Sequence, residues 1–275
     1  KCKGQKAESL ALLESGSLND WVRQAVEPRV APMSGGELAW IAGCIAFASF
    51  AQTLSGFGFS LLAVPLMTLV VSPYDAVVVA TILASFSTTF QALIDRKHVD
   101  QSIARRLILA SYAGMPFGLL AFIFVSETGL RLVLGIVVVS AAILLLRGFR
   151  LKDESHHFDW LLGIVSGFLS TSTSTNGPPL VFLMQARRLD AATFRATINT
   201  VFAIVNVGAL ALFVSAGKVN ENNLSGVAVA LPALGIAIAV GYSVRRLITQ
   251  ERFNTLVISL LFLSAISVIV SAFTH

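Results

Sequence analysis

Hydrophobic residues in this chain form eight long segments, separated by short stretches of charged and turn-forming residues. Most of these segments hold the roughly 20 apolar residues that an α-helix needs to cross the core of a lipid bilayer. The pattern therefore predicts an all-α, polytopic integral membrane protein. The segments span approximately residues 38–71, 76–94, 107–125, 130–146, 159–186, 191–215, 223–242 and 253–273.

Polar or helix-breaking residues interrupt two of the segments. The first is about twice as long as one crossing requires, and glycine and serine stand among phenylalanines at residues 55–60. The fifth contains a run of hydroxyl residues followed by Asn-Gly-Pro-Pro, at residues 170–179. Broken helix at membrane depth persists only where it is buried in protein or lines a polar cavity, so each segment is predicted to be two half-helices.

Each interrupted segment begins one half of the chain, and the segments of the two halves match in order. Asp75 in the first half and Asp190 in the second lie where a helix N-cap is expected. The matched pairs include Ser55-Gly56 with Ser166-Gly167, Pro65-Leu66 with Pro179-Leu180, and Asp75-Ala76 with Asp190-Ala191. We predict two repeats, each with a broken or re-entrant hairpin plus three transmembrane helices. The predicted parts are an N-terminal tail at 1–37, a first repeat at 38–147, a cytoplasmic linker at 148–158 and a second repeat at 159–275.

The distribution of Lys and Arg between the loops sets the predicted topology. If every segment crosses fully, the loops on the two sides hold eight and seven basic residues, which conflicts with the positive-inside rule. If residues 159–186 instead dip into the membrane and return, the split becomes thirteen against two. This predicts a re-entrant hairpin and halves of opposite orientation, an inverted-topology repeat. The larger set is Arg96, Lys97, Arg105, Arg106, Arg147, Arg150, Lys152, Arg187, Arg188, Arg195, Arg245, Arg246 and Arg252.

Symmetry between the halves implies a second hairpin at residues 38–71, which places the amino terminus outside. Basic residues of the tail favour the inside instead, so a hairpin and a single span stay open for this element. The tail lacks the residue order of a signal peptide. Because Met33 directly precedes the first apolar run, residues 1–32 are expected to lie upstream of the native start; a surface-lying helix is the alternative.

Composition narrows the classes of function. The chain is 55% hydrophobic and 13% charged, and its net charge of +5 gives no reason to expect nucleic acid as a partner. Histidines lie in predicted loops or at the end, and no phosphate-binding motif occurs, so an enzyme and a cofactor are not expected. His156 and His157 stand beside Asp153, Glu154 and Asp159; a solvated loop is expected there, and a metal site is the alternative. All acidic residues lie in the tail, loops or span edges, which leaves no mid-membrane carboxylate for ion coupling.

The two breaks are predicted to meet near the middle of the membrane and to bind an anion. Half-helices that start after a break present unpaired N–H groups and the positive end of the helix dipole, and hydroxyl and amide side chains add hydrogen bonds. Close helix packing is the alternative role for the small residues, and inter-helix hydrogen bonding for the two asparagines of 191–215. The candidate substrate-binding residues are Gly56, Phe57, Gly58, Ser60, Thr171, Ser172, Thr173, Ser174, Thr175, Asn176, Gly177, Asn199 and Asn206.

These motifs resemble the sulfite exporter TauE/SafE family, whose repeats each carry a Ser-Gly and Gly-rich segment followed by Pro and a long apolar helix. The first copy is residues 55–65, and the second begins at Ser166-Gly167-Phe168-Leu169 and ends at Pro179. The resemblance covers roughly residues 38–273. It implies export of sulfite or an organosulfonate such as sulfoacetate across the bacterial cytoplasmic membrane. Hydroxyls at residues 170–175, where the family often has Gly, leave the exact anion open.

We therefore expect a transporter that moves a small sulfur oxyanion by alternating access. Its expected partners are this anion and the lipid bilayer; direction, ion coupling and homo-oligomerisation are left open. An anion channel or a non-transporting membrane interaction protein is the alternative.

Overall fold

The computed structural model describes residues 32–130, 156–187 and 189–245, together with a few isolated positions. Within these ranges the chain is helical and contains no β-strand, and five helices are long and apolar enough to cross a membrane. The prediction of an all-α polytopic membrane protein is confirmed. The helices are α1 (Gly35–Ser55), α2 (Phe59–Met67), α3 (Pro73–Asp95), α4 (Gln101–Phe124), α5 (His156–Ser172), α6 (Gly177–Ala186), α7 (Ala191–Ser215) and α8 (Glu221–Arg245).

Both predicted breaks are present, between α1 and α2 and between α5 and α6. A short 3-10 helix, Arg96–His98, joins α3 to α4. Most of the predicted segments at 130–146 and 253–273, of the linker at 148–158 and of the tail lies outside the described residues.

Each broken segment turns back on itself. The indole Nε1 of Trp40, near the start of α1, donates to the carbonyl of Leu66, near the end of α2, at 2.9 Å. At the other hairpin, Arg187 follows α6 and its Nη2 lies 2.5 Å from the carboxylate of Asp159, near the start of α5. The entry and exit of each hairpin are therefore close together. We call α1 with α2 hairpin 1, and α5 with α6 hairpin 2.

The two hairpins enter the helix bundle from opposite ends. We call the end that holds the start of α3 end A and the end that holds its last residue, Asp95, end B. The exit of hairpin 1 leads directly into α3 at end A. The mouth of hairpin 2 lies at end B, because Asp159 also pairs with Arg106 of the first turns of α4, at 2.8 Å. Arg245, at the end of α8, pairs with Asp95 at the same end, at 3.2 Å.

The helices pack in pairs that correspond between the halves. The most extensive contacts join α1 to α8, α5 to α4, and α3 to α7. Exchanging the first four helices for the last four leaves this pairing unchanged. Such a pattern is what two repeats related by a two-fold axis produce.

Small residues let α4 and α5 approach closely. A Cβ atom added at Gly167 would lie 1.9 Å from the carbonyl oxygen of Ser111, and one at Gly114 would lie 2.0 Å from that of Ile164. Glycine is therefore required at these helix crossings, as is common between membrane helices.

The two aspartates predicted as N-caps have different roles. Asp190 caps α7, because its carboxylate accepts hydrogen bonds from the N–H groups of Ala192 and Thr193. The prediction for Asp75 was wrong: α3 begins two residues earlier at Pro73, and the hydroxyl of Ser72 caps it. Pro favours the first helical position, where its missing N–H costs nothing.

Candidate functional site

The break in hairpin 1 depends on two glycines with left-handed backbone. Gly56 has φ 86° and ends α1, and its N–H donates to the carbonyl of Gln52 at 2.6 Å. Gly58 has φ 93° and precedes α2. Glycine adopts this conformation without steric cost. The sequence Gly-Phe-Gly thus stops one helix and starts the next within three residues.

The start of α2 has no side-chain cap. Its first intrahelical hydrogen bond runs from the N–H of Leu62 to the carbonyl of Gly58, at 3.1 Å. The N–H groups of Phe59 and Ser60 precede this bond and point out of the helix start, where the helix dipole places about half a positive charge. This helix end is suited to an anion.

The break in hairpin 2 has a serine in the left-handed region. Ser174 has φ 57° and is the only described non-glycine residue with positive φ. Its hydroxyl donates to the hydroxyl of Ser60 at 3.1 Å and accepts from that of Thr81 at 3.0 Å. These bonds tie the tip of hairpin 2 to the start of α2 and to α3.

The start of α6 offers fewer donors than the start of α2. Gly177 is followed by Pro178 and Pro179, which have no N–H group. Two of the N–H groups expected at the start of α6 are therefore absent. Its prolines instead favour the helix start, since their fixed φ matches the first turn.

A polar cavity lies where the two tips meet. It is at mid-depth, because Ala84 is the central residue of α3 and Phe202 is next to the centre of α7. The lining residues carry no charged side chain. They are Gln52, Gly58, Phe59, Ser60, Leu61, Ala84, Thr88, Ser174, Thr175, Asn176, Gly177, Phe202 and Asn206.

The cavity is narrow in this conformation. Its water-accessible volume is about 20 Å³, which is room for roughly one water molecule. An anion with three or four oxygens is larger than this, so the tips must separate before it can enter.

Amide groups shape one wall of the cavity. Asn176 Nδ2 donates to Asn206 Oδ1 at 3.2 Å, and the hydroxyl of Ser166 donates to the carbonyl of Asn176 at 2.8 Å. Hairpin 2 is thereby held to α7, and the amide of Asn206 keeps its own N–H donors for another partner.

The structure brings seven of the predicted residues to the cavity wall: Gly58, Ser60, Ser174, Thr175, Asn176, Gly177 and Asn206. Each is a tip residue of one hairpin or, for Asn206, a residue of α7.

The other six predicted residues are not in the cavity wall. Thr171 donates to the carbonyl of Met115 on α4 at 2.7 Å, which is a packing role. Thr173 bonds within its own helix end, to Leu169 and Thr175.

Phe57 packs edge-to-face on Phe194, with ring centroids 6.2 Å apart, and Gly56 lies against the side chain of Arg195. Ser172 and Asn199 are buried with side-chain atoms that have no hydrogen-bond partner among the described residues.

Six lining residues were not predicted from the sequence. Gln52, Phe59 and Leu61 belong to hairpin 1, and Ala84, Thr88 and Phe202 belong to the continuous helices α3 and α7. Polar residues inside an apolar span are a usable signal for Gln52 and Thr88, because they are costly in lipid and commonly face the bundle interior.

A comparison with protein-family models matches residues 41–268 to the model described as "Sulfite exporter TauE/SafE". Neither the curated proteins nor the solved structures gave a significant match.

Proposed function

Because the chain belongs to the sulfite exporter TauE/SafE family, a family of membrane transporters, we propose that it carries a small sulfur oxyanion through the cavity between the hairpin tips. Sulfite and organosulfonates such as sulfoacetate are the proposed substrates. Each presents a compact group of three oxygens around sulfur, which accepts several hydrogen bonds at once.

The neutral cavity at the start of α2 carries this proposal. N–H groups at a helix start, the hydroxyls of Ser60 and Ser174, and the amide of Asn206 are donors for an oxyanion. A carboxylate in the wall would repel the anion, and none lines the cavity. Moderate binding by neutral donors also allows release, which transport requires.

Alternating access follows from hairpins that enter from opposite ends. Movement of hairpin 1 would open the cavity toward one side, and movement of hairpin 2 toward the other. The bond between Ser174 and Ser60 joins the two tips in this closed conformation. We propose that it breaks and reforms as each side opens.

Loop charge supports end B as the cytoplasmic side. The membrane potential supports export as the direction of transport. The loops and helix ends described at end B include Arg96, Arg105 and Arg187, whereas Lys218 lies in the loop at end A. A membrane potential that is negative inside drives an anion outward with about 2.3 kcal/mol per charge per 100 mV. We place the protein in the bacterial cytoplasmic membrane.

A ligand panel tests the substrate class. Sulfite, sulfate, thiosulfate, taurine, isethionate and sulfoacetate are added to the purified protein, and thermal unfolding is recorded in detergent. A bound anion stabilises the folded state by mass action, so at least one is expected to raise the unfolding temperature. Absence of any shift across the panel contradicts the proposal.

Ser60→Ala tests the cavity with a matched control. Loss of a hydrogen bond to a charged ligand is expected to weaken binding of the active anion roughly tenfold or more. The control is Ser170→Ala, which removes a buried hydroxyl that lies outside the cavity and has no hydrogen-bond partner in the described part of the chain, and which should leave affinity unchanged. If Ser60→Ala binds the anion as tightly as Ser170→Ala does, the proposal that the anion binds in this cavity is rejected.

Counterflow in proteoliposomes separates a carrier from a channel. Exchange that is accelerated by substrate on the opposite side is expected for alternating access. Large potential-driven currents without saturation would instead identify an anion channel.

A further inference from the structure

A line of residues on α7 leads from the cavity toward end B. Arg195, Asn199, Phe202 and Asn206 follow one another at intervals of four, three and four residues, so they share one face of the helix. Phe202 and Asn206 line the cavity. Asn199 therefore lies about one turn nearer to end B than the cavity, and Arg195 about two turns.

α3, which packs along α7, carries a second polar line in the same direction. Thr88 lines the cavity, and Gln91 and Asp95 follow it at intervals of three and four residues. Asp95 ends this line at end B, where it pairs with Arg245.

Two side chains in these lines are buried without complete hydrogen bonding. Asn199 is 0% exposed, and neither its Oδ1 nor its Nδ2 has a partner in the part of the chain that the structure describes. Gln91 is also 0% exposed; its Nε2 donates to the hydroxyl of Ser87, but its Oε1 has no partner there. Unpaired buried polar groups are costly, so each requires an explanation.

Arg195 lies at the tip of hairpin 1. A Cβ atom added at Gly56 would come within 2.6 Å of Cγ of Arg195, which shows that the arginine stem passes directly over the break. Its Nε is buried and has no hydrogen-bond partner among the described residues. Arg106 and Arg187 each form an ion pair with the carboxylate of Asp159, whereas Asp95 and Asp190 act on Arg195 electrostatically without an ion pair among the described residues.

We propose that Arg195 and Asn199 form a second binding site for a small oxyanion, between end B and the central cavity. The inference rests on the proposed function and adds to it the positive charge that the central cavity lacks. Arg195 donates charge-assisted hydrogen bonds to the anion, and Asn199 Nδ2 donates the next bond toward the cavity. The anion is thus bound on the end B side before it enters the cavity.

Side-specific transport tests this site. Uptake of the active anion is measured in vesicles that expose end B and in vesicles that expose end A. Arg195→Gln is expected to raise KM about tenfold or more when substrate is added at end B, and by less than about twofold when it is added at end A. Arg195→Lys keeps the charge and should restore part of the affinity.

Arg105→Gln is the matched control for charge. Arg105 is exposed on α4 at end B, and its replacement changes the net charge by the same amount. It should leave KM unchanged on both sides. If it raised KM as much as Arg195→Gln does, a general surface potential would explain the effect and the site would be rejected.

Asn199→Leu separates binding from folding. Replacing an unpaired buried amide by an apolar side chain of similar volume should leave the unfolding temperature equal or higher. KM from end B should nevertheless rise severalfold, a result that a purely structural asparagine would not produce.

Unchanged KM from end B in both Arg195→Gln and Asn199→Leu would overturn the second site while leaving the central cavity intact. An equal rise from both sides would also overturn it, because the residues would then act on the cavity itself. Failure of the wild type to transport any anion of the panel would reject the proposed function and this inference together.

Discussion

Ser174 allows backbone strain and hydrogen bonding to be tested at a single position. It holds a left-handed backbone, with φ 57°, and is 2% exposed. Replacement by alanine keeps the Cβ atom and removes the hydroxyl, whereas replacement by glycine removes both. The difference in stability between the two variants therefore reports the steric cost of the backbone conformation, less the extra conformational freedom of glycine in the unfolded chain.

The expected magnitudes follow from the contacts. Both variants lose the hydrogen bonds to Ser60 and from Thr81. Thr81 keeps the carbonyl of Val77 as an alternative acceptor, at 2.8 Å, so the loss is about 1–2 kcal/mol in total. A left-handed backbone costs an L-residue about 1–2 kcal/mol, and the greater freedom of unfolded glycine takes back about 0.4–1 kcal/mol. Ser174→Gly should therefore be more stable than Ser174→Ala by roughly 0.5–1 kcal/mol.

Thermal unfolding in detergent at a fixed scan rate measures the difference. At about 2–4 °C per kcal/mol for chains of this size, Ser174→Ala should unfold several degrees below wild type and Ser174→Gly should recover about 1–4 °C. Both should bind the active anion more weakly, because both lack the hydroxyl. The reasoning is refuted if Ser174→Gly unfolds at or below the temperature of Ser174→Ala.

Two further predictions concern the frame around the cavity. Gly167→Ala should cost about 3 kcal/mol or prevent folding, because its Cβ would lie 1.9 Å from a backbone oxygen of α4. Gly235→Ala should stay within about 1 kcal/mol of wild type, because no neighbouring element among the described residues comes within 4 Å of its Cβ. Asp159→Asn leaves Arg106 and Arg187 without their buried carboxylate and should lower stability by about 3–5 kcal/mol. Thermal unfolding checks both, and equal melting of the two glycine variants, or an unshifted Asp159→Asn, would contradict them.

Much of the site could be predicted because its signals are local. Gly56 and Gly58 stop one helix and start another through their own backbone freedom, and the hydroxyl run ending at Gly177 does so through residues that disfavour a continuous helix. Charge counting predicted that residues 159–186 return to the side they entered. The ion pair between Asp159 and Arg187 brings the two ends of this segment together.

Two predictions failed in part: the N-cap of α3, where two neighbouring residues can both cap a helix, and the free N–H groups at the start of α6. Asp75 has the right chemistry for an N-cap, but Ser72 followed by Pro73 starts α3 earlier. The prediction of free N–H groups at the start of α6 does not hold at Pro178 and Pro179, which have no N–H group.

The amino-acid sequence alone determined the membrane-spanning helices, the two breaks and the family, because hydrophobicity and helix-breaking residues act within a few positions of the chain. Only the tertiary structure decided which hydroxyls face the cavity. Thr171 and Ser174 belong to one hydroxyl run, yet Thr171 packs on α4 and Ser174 reaches Ser60. The position of Arg195 over Gly56 likewise joins residues far apart in the chain. Such neighbours depend on how helices distant in sequence pack together, and no local pattern records that.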